Sequence, residues 1–179
     1  MDLTIPAAVR RAAREFGDAT AIAEPGGPRL SYRDLHERTN IVTRALVAGG
    51  IEPGDRVAIW SPNTHHWVLA ALGALGAGAT LVPVNTRYTG PEALDVISRS
   101  RARGLIVAGP FLGADRLAML IAAAADQTDA DQTDADQTGA PNVSARRAAL
   151  PELIVRVPVQ AATPAATNPS TGTAPARHA

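Results

Sequence analysis

The chain has 179 residues, no net formal charge and no cysteine. This length allows one domain with a sizeable hydrophobic core but not two large domains. The balanced charge gives no reason to expect a nucleic-acid or anionic-membrane partner. The missing cysteine excludes disulfides, thiolate metal sites and a thiol nucleophile, and it fits a cytoplasmic location. All 17 basic residues other than histidine are arginine, so lysine-dependent catalysis is excluded as well.

The first 120 residues alternate between helix and strand patterns, which predicts an α/β fold with a mainly parallel sheet and flanking helices. Ser31 and Thr64 stand where helix N-caps are expected, and Thr89 and Glu92 have the spacing of a capping box. The predicted elements, in chain order, are a helix over 5–16, two short strands over 19–23 and 29–31 joined by a turn, a helix over 32–48, a strand over 56–60, a helix over 65–75, a mostly buried strand over 80–84, a helix over 90–99, a strand over 105–108, a helix over 114–125 and a strand over 153–157.

Two segments have some features of targeting or membrane signals. The N-terminal helix is basic and amphipathic, but it lacks the long apolar region and cleavage site of a secretory signal, so a surface helix is expected. The stretch from Trp67 to Val84 carries no charge and has about the length of a membrane span. Within it, Gly76 and Gly78 are expected to let a helix pack closely and then end. A buried helix followed by a buried strand is therefore predicted, not a membrane span.

The character of the sequence changes after the first unit, residues 1–125. Residues 126–140 repeat the pentapeptide DQTDA nearly three times. A period of five fits neither a helix nor a strand, and the aspartates lack the residue spacing of calcium-binding loops. Residues 126–146 are therefore predicted to be a flexible, acidic, low-complexity insertion. Globular character returns over 147–159, whereas 160–179 contain no bulky apolar residue and are expected to be disordered.

Three segments in order resemble shared motifs of the adenylate-forming enzymes, which comprise acyl-CoA synthetases, luciferases and peptide-synthetase adenylation domains. They are LSYRDL at 30–35, GIEPGDRVAIWSPN at 50–63 and GAGATLVPVNTRY at 76–88. In detail they look most like bacterial acyl-CoA ligases that activate fatty acids or acids from steroid degradation. The resemblance covers residues 1–120 and 147–159. It implies that the chain is a partial N-terminal domain of such an enzyme.

The reaction implied by this resemblance uses ATP, Mg²⁺ and CoA. A carboxylic acid forms an acyl-adenylate with release of pyrophosphate, and the CoA thiol then displaces AMP. The family's phosphate loop, ribose-binding aspartate and catalytic lysine belong to later segments, so no catalytic residue, metal ligand or cofactor is assigned to this chain. Residues 170–177 resemble the phosphate loop in composition, but they lack its residue order, its lysine and a preceding apolar strand.

Arg87 is the single candidate ligand-binding residue. In some CoA ligases of the family the arginine of the corresponding loop contacts the CoA nucleotide, and a guanidinium suits a phosphate because its donors form a planar fork. A solvated loop arginine is the alternative. His65 and His66 point about 100° apart on a helix, which makes them a poor metal pair, and they are interpreted as surface or packing residues.

The sequence therefore predicts a truncated AMP-forming ligase of fatty or steroid-derived acids that is inactive alone. The alternative is a non-catalytic α/β interaction module, or a fragment that complements a second polypeptide. Because a partial domain leaves sheet edges and apolar faces exposed, a marginally stable, aggregation-prone product is expected.

Overall fold

A computed structural model describes residues 4–138, 150–151 and 153–157 of the chain. Helices and strands alternate along these residues, and apart from the end of the last helix their bounds follow the prediction closely. The elements are α1 Ile5–Phe16, β1 Thr20–Ala23, β2 Arg29–Ser31, α2 Tyr32–Ala48, β3 Arg56–Trp60, α3 His65–Gly76, β4 Thr80–Pro83, α4 Gly90–Ser100, β5 Gly104–Ala108, α5 Arg116–Thr138 and β6 Leu153–Val157.

Local capping signals position the starts of α2 and α4 as predicted. The Ser31 hydroxyl accepts the Asp34 backbone N–H at 3.1 Å, and the Asp34 carboxylate accepts the Ser31 backbone N–H at 2.9 Å. At α4 the Glu92 carboxylate accepts the Thr89 backbone N–H at 2.8 Å. Each carboxylate satisfies a donor that the helix itself leaves unpaired, so both helix starts are encoded within four residues.

Four strands form one parallel sheet in the spatial order β4-β3-β5-β6, which confirms the predicted fold class. β1 and β2 form a separate antiparallel hairpin. Of the four, β4 was predicted to be mostly buried, and this is wrong. Thr80 and Pro83 are exposed because β4 lies at the end of the described sheet and pairs with β3 alone.

The central strands β3 and β5 are covered on both faces, so alternate residues enter two different cores. Ala58 and Trp60 of β3 pack with α4 and α5, whereas Val57 and Ile59 pack with α2 and α3. The helices therefore flank the sheet on both sides, in three layers. Burial on both faces explains why these strands read as continuous apolar runs.

The contact between α2 and α3 depends on glycine. A Cβ at Gly76 would overlap the Thr43 hydroxyl of α2, so the two helices approach as closely as predicted. The Thr43 hydroxyl oxygen lies 3.0 Å from the carbonyl oxygens of both Thr39 and Gly73, which share its single proton. Gly78 then adopts a φ of +76°, which favours glycine and ends the segment before β4.

Helix α5 extends much further than predicted. It was expected to end at residue 125, but it continues through most of the pentapeptide repeat to Thr138. The expectation of a flexible loop is therefore wrong for residues 126–138. No glycine or proline interrupts this part, and alanine recurs in it, so helical backbone can continue through it. The expected disorder of 160–179 concerns residues outside the described ones.

The uncharged stretch from Trp67 to Val84 forms most of α3 followed by β4, so the predicted helix and strand are present although the strand is less buried than expected. None of the helices in the described part of the chain is long and apolar enough to cross a membrane.

Candidate functional site

The loops after β3, β4 and β5 converge at one edge of the sheet. Because these strands are parallel, their carboxyl ends share that edge, which is where open α/β sheets bind ligands. The loop after β4, residues 84–89, contains the predicted site residue Arg87 and is called the 84–89 loop below.

Buried Trp60 anchors the 84–89 loop. Its ring is fully inaccessible, and the indole N–H donates to the Asn85 carbonyl at 3.0 Å. The same carbonyl accepts the Tyr88 backbone N–H at 3.1 Å, while the Asn85 side-chain oxygen accepts the Arg87 backbone N–H at 3.0 Å. The loop is therefore a compact turn whose backbone is tied to the last residue of β3.

Arg116, at the start of α5, provides a second anchor. Its Nη2 donates to the Thr86 carbonyl at 3.1 Å, and its Nη1 lies 3.5 Å from the Phe111 carbonyl oxygen. The guanidinium carbon lies 5.9 Å from the ring centroid of Trp60 and 5.2 Å from that of Phe111, within cation–π range. Arg116 is only 5 % exposed, and this burial lowers the pKa of its guanidinium.

Sequence reasoning missed Arg116, although one signal was present. The residue stands in the first turn of a helix, where the macrodipole disfavours a cation. Asp115 precedes it and caps α5 by accepting the backbone N–H groups of Leu117 and Ala118, at 3.1 and 3.2 Å. An arginine in that position needs a compensating environment, and here carbonyls and aromatic faces supply it.

Arg87 itself is exposed on the surface of the 84–89 loop. Within the described part of the chain, its guanidinium takes part in no hydrogen bond or ion pair. The backbone on either side is fixed by Asn85, so the side chain projects from an ordered base. This geometry is compatible with an anionic ligand, and equally with the solvated arginine that the sequence left open.

His65 and His66 begin α3 beside the β1–β2 hairpin. The Glu24 carboxylate accepts the His65 backbone N–H at 2.8 Å and lies 2.7 Å from His65 Nδ1. These bonds lower the pKa of Glu24, with the backbone N–H contributing most. The two imidazole rings lie 3.8 Å apart, and burial followed by the charge of His65 lowers the pKa of His66. The interpretation of His65 as a packing residue agrees with its 9 % exposure.

The cap of α3 differs from the prediction. Thr64 occupies the N-cap position, but its side chain does not accept a helix N–H, and its buried hydroxyl is without a partner in the described structure. Glu24 supplies the cap from another part of the chain. An open, mainly apolar cleft of about 510 Å³ lies beside this contact and is lined by Ile22, Pro25, Asn63, Trp67 and Val68, among others.

The residues present fit only part of what an ATP-dependent ligase needs. An exposed guanidinium such as Arg87 suits a phosphate of CoA. Among the described residues no three His, Cys, Asp or Glu side chains lie close enough to hold a metal ion, and the sequence contains no lysine. The set therefore does not fit a Mg²⁺–ATP site.

The three-layer fold with its anchored carboxyl-edge loop is that of an N-terminal domain of an adenylate-forming enzyme. Comparison with known families is consistent with this class. The chain belongs to the AMP-binding enzyme family, whose model matches residues 9–176. The family expected from the three motifs is therefore confirmed. The matched range runs through the repeat and most of the tail, whereas the motifs limited the resemblance to 1–120 and 147–159.

Named relatives show the same relationship. The chain is 56 % identical over 117 residues to the 3-(7a-methyl-1,5-dioxo-octahydro-1H-inden-4-yl)propanoyl:CoA ligase of Rhodococcus jostii, covering 65 % of this chain and 22 % of that protein. The ligase of the same name from Mycobacterium tuberculosis is 46 % identical over 161 residues, covering 88 % and 26 %. The inhibitor-bound N-terminal domain of FACL13 from M. tuberculosis superposes with a TM-score of 0.62 at 25 % identity, covering 86 % of this chain and 33 % of that one. The chain thus spans about a quarter of the curated relatives' length.

Proposed function

We propose that this chain is part of an AMP-forming carboxylic acid:CoA ligase. The whole enzyme would convert the acid and ATP to an acyl-adenylate and pyrophosphate, and then pass the acyl group to CoA with release of AMP. The observation that carries the proposal is the 56 % identity to the R. jostii ligase over 117 residues, a level far above that of fold similarity alone. We propose a cytoplasmic location for the reaction, where ATP and CoA are both available.

The acid we propose is a steroid-derived propanoate. Both named ligases act on a propanoyl group attached to an octahydroindene dione with an angular methyl group. That fused five- and six-membered ring system corresponds to the C and D rings of a steroid. Fatty acids are the second candidate, because a fatty acid–[acyl-carrier-protein] ligase of Streptomyces coeruleorubidus is 38 % identical over 85 residues.

We propose further that the 179-residue chain is inactive alone. Transfer to the α-phosphate of ATP requires a positioned cation and an ordered set of amide donors around the phosphates. In this family a lysine supplies the cation, and the chain has none. ATP–pyrophosphate exchange measured on the purified chain, with the bicyclic propanoate and a series of fatty acids, should stay at the level of buffer. Exchange above that level would overturn the proposal.

Arg87 is the residue of this chain that we propose contacts CoA. Its exposed guanidinium stands on a compact turn at the sheet edge where ligands bind in such folds. In ¹⁵N-labelled protein, CoA should shift the Arg87 and Tyr88 amide signals, and Arg87→Met should remove the response. Arg99, an exposed arginine paired with Asp95 at 3.3 Å, provides the matched control as Arg99→Met. An equal loss in both variants would mean that CoA binds by general charge attraction.

A complementing role is the second candidate function. β4 and β6 each pair with one described strand, and Val155 of β6 is exposed, so apolar sheet surface is open to a further chain. Co-expression with the remaining three quarters of the R. jostii ligase should yield a co-purifying complex that forms acyl-CoA. If the two polypeptides separate and no product forms, the complementing role is excluded.

A further inference from the structure

Arg116 carries a buried positive charge without an acidic partner in the described structure. Arg116 is only 5 % exposed, and a buried charge is costly unless other groups compensate for the lost water. The compensation here comes from the Thr86 carbonyl at 3.1 Å, the Phe111 carbonyl at 3.5 Å and the faces of two aromatic rings. Its Nε has no hydrogen-bond partner among the residues that the structure describes. Burying this charge is unfavourable, and no ion pair among the described residues explains it, so Arg116 is expected to serve another purpose.

The contacts of Arg116 join three separate parts of the carboxyl edge. It belongs to α5, it lies against Trp60 at the end of β3, and it binds the carbonyl of Thr86 in the 84–89 loop. The Trp60 indole N–H donates to the carbonyl of Asn85, the residue before Thr86, at 3.0 Å. Two successive carbonyls of one turn are therefore held by two buried donors from two other elements. The residue that follows them is Arg87.

We infer that Arg116 is a positioning residue that holds the 84–89 loop in the conformation that presents Arg87. The inference rests on the proposed contact between Arg87 and CoA for its functional meaning, but the positioning itself stands on Arg116, Trp60 and the two carbonyls. A fixed backbone lowers the entropy lost when a loop side chain binds a phosphate. Lysine would keep the charge but lose the planar fork and ring stacking, so it should hold the loop only in part.

Amide hydrogen exchange in the 179-residue chain tests the inference. The reporters are the Arg87 and Tyr88 amides, which donate to Asn85 and are protected only while the turn is closed. Arg116→Met should accelerate their exchange about 10- to 100-fold, the range expected for losing a charged hydrogen-bond donor. Arg116→Lys should restore part of the protection, and amides in β5 and α3 should be unchanged. Arg99→Met is the control and should alter neither reporter.

Each outcome decides between the alternatives. Exchange at Arg87 and Tyr88 that stays within about twofold of wild type in a folded Arg116→Met protein would overturn the positioning role. If Arg116→Met unfolds, Arg116→Lys decides, and unchanged exchange in that variant overturns it equally. If CoA shifts no amide signals of the wild-type chain, the proposed contact between Arg87 and CoA is refuted. The positioning role of Arg116 is still tested by the hydrogen-exchange measurement. The two ideas can therefore fail separately.

Discussion

Replacing Glu24 by alanine should detach the β1–β2 hairpin from the start of α3. The carboxylate accepts the His65 backbone N–H at 2.8 Å and bonds the His65 ring at 2.7 Å, and the two side chains are 27 % and 9 % exposed. Loss of an N-cap costs roughly 0.5–2 kcal/mol, and a partly buried hydrogen bond to a charged group about 1.5–3 kcal/mol. Both contributions come from the same carboxylate and are not additive, so we expect Glu24→Ala to lower the free energy of unfolding by about 2 kcal/mol.

Urea denaturation followed by circular dichroism at pH 7 measures this change. Glu15→Ala, which removes an exposed carboxylate from α1, is the control and should alter the free energy of unfolding by no more than about 0.5 kcal/mol. Glu24→Gln should fall between, because an amide oxygen can still accept a hydrogen bond but carries no charge. If Glu24→Ala matched the Glu15 control, the hairpin carboxylate would not cap α3, and the reasoning would be refuted.

The same contact gives the stability a pH dependence whose sign follows from the two pKa shifts. His65 hydrogen bonds lower the pKa of Glu24, so its contribution is present above the ordinary carboxyl pKa and is lost as pH falls through the folded value. Burial lowers the pKa of His66, so the folded state favours its neutral form and loses stability as pH falls below about 6.5. The charge of Arg38 also lowers the pKa of His66, whereas the charge of Glu24 raises it. Wild type should therefore lose stability on acidification, and the difference from Glu24→Ala should shrink below about pH 4.

Two packing variants test the fold. Gly76→Ala should lower the free energy of unfolding by about 1–3 kcal/mol, because the new methyl group would displace the Thr43 hydroxyl from the Gly73 carbonyl. A thermal midpoint equal to that of wild type would contradict the close approach of α2 and α3. Leu94→Ala, at a fully buried position between α4 and the sheet, should cost about 2–5 kcal/mol by urea denaturation, whereas the 57 % exposed Ile41→Ala should cost under about 1 kcal/mol. Equal effects of the last two variants would mean that this core is not packed as described.

Features that depend on neighbouring residues could be predicted from the sequence. The capping boxes at Ser31 and Thr89 each involve residues three apart, and the hairpin turn lies within the five residues between β1 and β2. The parallel sheet followed from apolar runs separated by single helices, because buried strands need helices on both faces. The exposure of Thr80 and Pro83 in β4 could not be foreseen in the same way, because edge position depends on strand order and not on composition.

Features that join distant segments were not predicted. Glu24 caps a helix that begins 41 positions later, and Arg116 reaches a carbonyl 30 positions earlier. Neither pairing leaves a local sequence pattern. Two weaker signals were present: an arginine at the start of a helix, and a threonine N-cap without a glutamate at the third helical position. Each indicates that the helix start needs a partner from elsewhere in the chain. The length of α5 was underestimated because a period of five was taken to exclude a helix. Residues with adequate helix propensity can form a helix without any periodic apolar pattern.

The most direct test of the central claim is a chimaera of the R. jostii ligase in which the 117 matching residues are replaced by those of this chain. If the chain is part of an AMP-forming ligase of the same kind, the chimaera should form acyl-CoA from the bicyclic propanoate, ATP and CoA, with AMP and pyrophosphate as the co-products. A chimaera that folds, as judged by a cooperative thermal transition, yet produces neither AMP nor acyl-CoA from that acid or from fatty acids would contradict the claim.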